Sequence, residues 1–295
     1  MHPGGVYVDC TAGAGGHSEL IAQRLADGRL IALDRDPAAV ELARTRLRPF
    51  PQAQVVHANY ANLASVLDGL SIRRVHGVLI DAGVSSMQID DPERGFSLQN
   101  DGPLDMRMNP DEGMTALEYL ASTDSDELAD VLRSYGDVKP ARRIAKLLAA
   151  RAREGRIRTT LDLVRTVQES LSFVRGIPEE VRTVFQALRI AVNDELKGLS
   201  EGVHQAIDML EPGGRLVAIS FHSGEDRIVK NALNRESRPE RELHPDGRVK
   251  REIPPRMRIL TRKPVAPDSD EVRENPRAHS ARLRAAERLS GDMEP

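Results

Sequence analysis

The chain has 295 residues, 40% of them hydrophobic and 29% charged, with a formal net charge of −3. That is long enough to bury one large core, and too balanced for the whole molecule to be drawn to nucleic acid, so any such contact must come from local patches. A single cysteine, Cys10, excludes an internal disulfide, and no apolar run approaches the ~18 residues of a membrane span, so a cytoplasmic protein with no membrane partner is expected.

Short apolar runs alternate with helix-patterned stretches over the first hundred residues, which is the pattern of βαβ units on a parallel sheet. Strands are predicted at Val6 to Cys10, Arg29 to Asp34, Gln54 to Ala58 and Val75 to Asp81. Helices are predicted at Ser18 to Leu25, Pro37 to Leu47 and Asn62 to Leu67, the second opened by a proline in its first turn. From Asp90 to Pro110 the pattern stops, and the stretch is too long for a simple connection. Residues Thr115 to Leu199 read as helices almost throughout, at Asp124 to Leu132, Ala141 to Arg153, Thr160 to Leu171 and Glu179 to Leu196. The α/β pattern then returns with a helix at Glu201 to Leu210, the stop EPGG at Glu211 to Gly214, a buried strand at Arg215 to Phe221 and a strand pair that includes Arg256 to Leu260. The expected fold is α/β and Rossmann-like: a mostly parallel central sheet built by residues 1–110 and 200–295, with an all-helical domain inserted at 111–199.

Directly behind the first strand stands DCTAGAGGHS, Asp9 to Ser18. A strand that breaks into a glycine turn lets the backbone approach a ligand and aims the next helix at it. Gly13, Gly15 and Gly16 supply the turn, but Ser18 occupies the place where a dinucleotide fingerprint wants its last glycine. S-adenosylmethionine has no phosphate and carries an ammonium and a sulfonium, so its site favours carboxylates, a need Asp9 fits. Asp34, ending the second strand, can accept ribose hydroxyls, and Asp81 ends the fourth strand at the edge where open α/β sheets place their chemistry. Cys10 reads as a small core side chain.

Five blocks carry a resemblance: DCTAGAGGHS, LIDAGVSSMQIDDPERGFSLQNDGPLDMRM, FQALRIAVNDEL, LEPGGRLVAISFHSGEDR and NPRAHSARLRAAER. In order and over nearly the whole chain, they resemble the bacterial RsmH (MraW) methyltransferases, class I enzymes that act on the exocyclic N4 of a cytidine in the decoding region of 16S rRNA. The resemblance implies S-adenosylmethionine as cofactor, no metal ion, and cofactor contacts at Gly15, Gly16, His17, Asp34, Tyr60, Asp81 and Gln88, beside Gly13 of the turn. It also implies 16S rRNA within the small ribosomal subunit as partner, and leaves monomer and homodimer open. Gly224 stands where the family usually has leucine.

Methyl transfer to an amine conjugated with a ring gains from an acceptor that holds the amine hydrogens. Asp81, the Ala82 carbonyl and Ser85 are candidates, with His222 as a proton relay or a loop tie. In the Asp90 to Pro110 loop, Phe96 offers a stacking face and Arg94 and Arg107 offer cations to a base turned out of its stack. Residues Arg133 to Arg158 hold nine Lys/Arg, and Arg142, Lys146 and Arg153 fall within about 40° on a helical wheel, a stripe suited to phosphates. Ala281 to Arg288 is a second candidate footing. Two rival readings stay in view. One is a methyltransferase for another nucleic acid, disfavoured because the fourth strand ends in DAGVSS and not in an Asp/Asn-Pro-Pro-Tyr turn. The other is a non-catalytic ribosome-binding protein of the same fold.

Overall fold

A computed structural model describes residues 1–171, 178–244 and 248–290. The parts of the expected domains at 172–177, 245–247 and 291–295 lie outside these residues. The chain forms two compact units, Met1–Gly83 with Leu196–Pro295, and Val84–Glu195.

The first unit begins with β1 (Val6–Asp9), α1 (Gly16–Ala22), β2 (Arg29–Asp34), α2 (Pro37–Leu47), β3 (Ala53–His57), α3 (Leu63–Gly69) and β4 (Val75–Asp81). The second holds α4 (Ser86–Asp90), α5 (Ala116–Ser122), α6 (Ser125–Gly136), α7 (Ala141–Arg153), α8 (Thr160–Ser170) and α9 (Glu179–Asn193). The chain then continues with α10 (Glu195–Met209), β5 (Leu210–Ser220), α11 (Ser223–Glu236), β6 (Glu240–Leu243), β7 (Val249–Ile253), β8 (Met257–Ile259), α12 (Ser269–Glu274) and β9 (Arg282–Arg288).

Seven strands form one sheet in the order β3-β2-β1-β4-β5-β9-β8. The first five run parallel, and β9 pairs antiparallel with both β5 and β8. Burial on both faces explains why the strands read as unbroken apolar runs. In β2, Ile31 and Leu33 enter one core cluster with Val8, Val78 and Ile80, while Leu30 and Ala32 enter another with Ala22, Ala43 and Leu47. The chain winds outward from β1 to β3 and then crosses to β4 on the other side of β1, so the order reverses between β1 and β4. At such a reversal the connections leaving two neighbouring strands diverge and open a crevice at their carboxyl ends.

The helical unit has its own core, in which Leu128, Leu132, Ile144, Leu148, Val184 and Leu188 are fully buried. Thr115 with Glu118 opens α5 and Thr159 with Asp162 opens α8, each by a reciprocal capping box that satisfies the first turn's N–H groups. Leu104 and Met106, only 2% and 1% exposed, belong to this same core. Asn193 fixes them there, donating to the Met106 carbonyl at 2.7 Å and accepting from Met108 N–H at 2.7 Å. The expected boundaries at 110/111 and 199/200 therefore move to 83/84 and 195/196.

Other expectations need correction. The helix expected through Leu196 ends at Asn193, because Asp194 takes a left-handed conformation with φ 50°, and α10 starts at once. The EPGG stretch does not stop the chain ahead of a strand at Arg215; it is drawn into β5, with a register shift opposite Val75 and Gly77. The Ala281 to Arg288 footing is largely β9, with Ala285 and Ala286 buried in the sheet. In the Asp90 to Pro110 stretch Phe96 packs on the helical core, while Arg94 donates to the Arg107 and Met108 carbonyls and Arg107 chelates Asp105, so the two arginines brace the loop itself. Among the described residues no helix is long and apolar enough to cross a membrane.

Candidate active site

The carboxyl ends of β1, β2, β4 and β5 bring most of the sequence candidates to one rim of the first unit. The turn after β1 is braced from below by Asp9. Fully buried, it accepts from the Ser18 hydroxyl at 2.6 Å and from Thr11 N–H at 3.1 Å, and burial pushes its carboxyl above the usual carboxylate range. Asp9 is thus a strut between β1 and α1 and not a ligand-facing anion, and Ser18 replaces a glycine because its hydroxyl is the strut's other end. Gly15 caps α1 with φ 83°, a conformation that costs a side-chain-bearing residue free energy. Gly16 is the first residue of α1. Above Gly13 lies open space: a Cβ placed there would meet nothing within 4 Å.

Asp34 ends β2 with both oxygens engaged once each, Oδ2 by Gly13 N–H at 2.8 Å and Oδ1 by Asp36 N–H at 2.9 Å. Burial raises its pKa, and each oxygen keeps a second lone pair for a ligand hydroxyl. Tyr60, just past β3, lies against α10, where Gly202 leaves the room: a Cβ on Gly202 would come within 2.5 Å of the Tyr60 ring.

Asp81 is the centre of the rim. Its backbone N–H donates to the Thr11 hydroxyl at 2.8 Å, tying the ends of β1 and β4 together. Its Oδ2 lies 3.5 Å from His17 Nε2, and hydrogen bonding to Asp81 raises the His17 pKa above its ordinary 6.5. Its Oδ1 is buried and makes no hydrogen bond among the described residues. Next in the chain, Gly83 adopts φ 99°, and its Cβ position faces Glu225 Oε1 at 3.6 Å and Phe221 at 3.7 Å, so the turns after β4 and β5 are in contact.

The turn after β5 is organised by Glu225, which is 1% exposed. Its Oε2 accepts from Phe221 N–H at 2.7 Å and His222 N–H at 3.3 Å, and its Oε1 lies 3.2 Å from His222 Nε2. His222 caps α11, its Nδ1 accepting from Gly224 N–H at 3.1 Å. With Nδ1 holding a lone pair toward that amide, the neutral ring carries its proton on Nε2. Gln88 belongs to the helical unit, where it is buried and shares a capping box with Ser85 at the start of α4.

Thr11 and Glu225 were absent from the sequence reading. Glu225 had a signal, an acid three residues after a polar cap in His-Ser-Gly-Glu; Thr11 had none, because its partner is distant in sequence.

The chain matches the MraW methylase family over residues 1–289. It is 42% identical over 305 aligned positions to the ribosomal RNA small subunit methyltransferase H of Carboxydothermus hydrogenoformans, covering 98% of this chain and 94% of that protein. It is 46% identical to the protein of the same name from Aromatoleum aromaticum, covering 99% and 93%, and 46% identical to that from Geobacter sulfurreducens, covering 97% and 94%.

Proposed function

The chain belongs to the MraW methylase family and is a methyltransferase, and from that premise we propose that it methylates the exocyclic N4 of a cytidine in the decoding region of 16S rRNA, in the small ribosomal subunit, with S-adenosylmethionine as donor. The observation that carries this reading is Asp81 Oδ1, a buried carboxylate oxygen without a hydrogen bond at the end of β4. A carboxylate oxygen shut off from water costs free energy unless a donor reaches it.

The rim fits the donor. Asp34 keeps two lone pairs for the two ribose hydroxyls, Tyr60 presents an apolar ring for the adenine, and the open space over Gly13 lets ligand approach backbone. Gly15, Gly16 and His17 complete the proposed contacts on this unit. Carboxylates in place of bare helix termini suit a ligand that is cationic and lacks phosphate. Bound there, S-adenosylmethionine supplies an electrophilic methyl group.

The Asp81 carboxylate accepts an N4–H of the cytosine, which localises the lone pair on nitrogen, and the same carboxylate takes the proton released on transfer. His17 holds Oδ2 and so fixes the carboxylate's orientation. Holding the amine in line supplies ~7 to 11 kcal/mol and the proton acceptor about 10²- to 10⁴-fold. His222 positions the turn after β5 through its cap on Gly224, since its Nδ1 lone pair is already committed.

The helical unit supplies cations for the RNA backbone. Of the nine Lys/Arg between Arg133 and Arg158, five are engaged: Arg133, Arg151 and Arg156 by carboxylates, and Arg153 and Arg158 by carbonyls. Lys139, Arg142, Arg143 and Lys146 are exposed and make no hydrogen bond or ion pair among the described residues. These four sit at the start of α7 and just before it, and they are the phosphate contacts of this reading.

Mass spectrometry of 16S rRNA tests it. Cells lacking the protein should lose one N4-methyl group on a cytidine, regain it with the wild-type chain and not with Asp81→Asn; persistence of the mark in deletion cells overturns the reading. Calorimetry with S-adenosylmethionine separates the rival, because a non-catalytic RNA-binding protein would give no heat.

A further inference from the structure

Away from the rim, the first unit carries a second feature along α11 and the chain that packs on it. Lys230 and Asn234 of α11 and Ser237, its C-cap, recur at helical spacing and so line one side of the helix and its end. Two hollows lie along this side, of about 460 and 160 Å³, and they share Asn234, Ile259 and Arg262. Together they make a single groove walled by α11 on one side and by β8 and residues 260–264 on the other.

Its chemistry is that of an anion site. Lys230, Arg262 and Lys263 line the groove, are exposed, and make no hydrogen bond or ion pair among the described residues. Arg258 joins them with one guanidinium edge turned to Glu287 at 2.6 Å. Arg284, 8% exposed, donates through Nε and Nη2 to Asp226 at 2.7 and 2.9 Å in the smaller hollow. In the larger hollow, Ser237 Oγ is buried and has no hydrogen-bond partner among the described residues. Three cations and one hydroxyl left without a partner among the described residues call for an acceptor-rich, negatively charged occupant.

We propose that this groove binds the phosphodiester backbone of RNA. The inference rests on the rRNA methyltransferase reading and adds to it a second footing, separate from the helical unit. A row of cations along a continuous groove matches a chain with an anion at every residue better than it matches a single small ligand. Among the described residues neither hollow is lined by an aromatic, so the grip rests on the backbone and is independent of sequence. His222 caps α11 at the rim, which puts Lys230 about 12 Å and Ser237 about 22 Å further along the helix axis. The groove therefore holds RNA flanking the target nucleotide, not the target itself.

The test uses the full chain, a fluorescently labelled twenty-residue oligouridylate that contains no target base, and purified small ribosomal subunits. Neutralising Lys230→Gln, Arg262→Gln and Lys263→Gln together should weaken oligouridylate binding at least tenfold. The slope of log K against log salt should become shallower by about two, at ~0.7 for each phosphate of a single strand that the variant no longer neutralises. Affinity for S-adenosylmethionine should stay unchanged, which establishes that the variant is folded. Unchanged oligouridylate affinity and salt slope overturn the proposal, as does a variant that keeps its RNA affinity while losing affinity for polyglutamate, which would make the occupant an acidic protein. Failure of the underlying reading looks different: wild-type chain would then leave small subunits unmethylated, whatever the groove variant does to oligouridylate.

Discussion

His17 Nε2 stands 3.5 Å from Asp81 Oδ2, and this pair joins the first helix of the sheet to the end of its fourth strand. Hydrogen bonding to Asp81 is the leading cause of the raised His17 pKa, ahead of the burial that opposes it. A histidine whose pKa is higher folded than unfolded contributes stability that is fully present below its ordinary 6.5 and is lost as pH rises through the folded value. The difference in Tm between wild type and His17→Gln should therefore be largest below pH 6.5 and shrink as the pH rises through the folded value. Asp81→Asn should abolish that pH dependence, and proton NMR titration of His17 should show its pKa falling back in the same variant.

The other Asp81 oxygen yields a separate expectation. Because Oδ1 makes no hydrogen bond among the described residues, Asp81→Asn removes a charge without breaking a bond at that oxygen. Folding stability at alkaline pH, where His17 is neutral and the pair contributes least, should change little. The methylation rate should fall about 10²-fold or more, since an amide neither takes the proton nor holds the amine hydrogen as strongly. Single-turnover methylation of small subunits measures this, and a rate within threefold of wild type would remove Asp81 from the proton transfer.

Asp34 gives a prediction about affinity. Each of its oxygens already supports one backbone N–H, so Asp34→Ala would disturb the turn as well as the ligand. Asp34→Asn is the milder variant: its amide oxygen still accepts one of the two backbone N–H groups, while its NH2 faces the other and the charge is gone, so Tm is read beside affinity. Loss of a charge-assisted hydrogen bond worth ~1.5 to 3 kcal/mol should weaken S-adenosylmethionine binding about 10- to 100-fold by calorimetry. Equal affinity in the two proteins would refute the ribose assignment.

What the sequence made legible follows from where its information is local. Parallel strands buried on both faces read as apolar runs, and so β2 and β4 match their expected limits residue for residue. The glycine turn and the strand-end acids Asp34 and Asp81 could be found because a sharp turn and a carboxyl edge each leave a short pattern. Thr11 could not, since its hydroxyl matters only through the amide of Asp81, seventy residues away. Leu104 and Met106 escaped for a related reason. They lie in a stretch rich in Pro, Gly, Asp and Asn, yet they fill the helical core, held there by Asn193 from across the unit.

The stripe on α7 shows how a helical wheel can be right about faces and wrong about partners. Ile144 and Leu148 are buried and Arg142 and Lys146 exposed, as the periodicity requires. Arg153 shares their face but donates to the Ala121 and Thr123 carbonyls at 3.0 and 2.7 Å, satisfying groups left bare where α5 ends. Two outcomes should therefore separate. Arg142→Glu with Lys146→Glu should leave Tm and S-adenosylmethionine affinity unchanged while methylation of small subunits is lost, because like charges now face the phosphates. Arg153→Gln should lower stability by about 1 kcal/mol per carbonyl left without its donor and leave the KM for subunits near that of wild type. Thermal melts and subunit titrations on the two variants decide it. A loss of RNA affinity in Arg153→Gln at unchanged Tm would return that arginine to the phosphate-binding stripe.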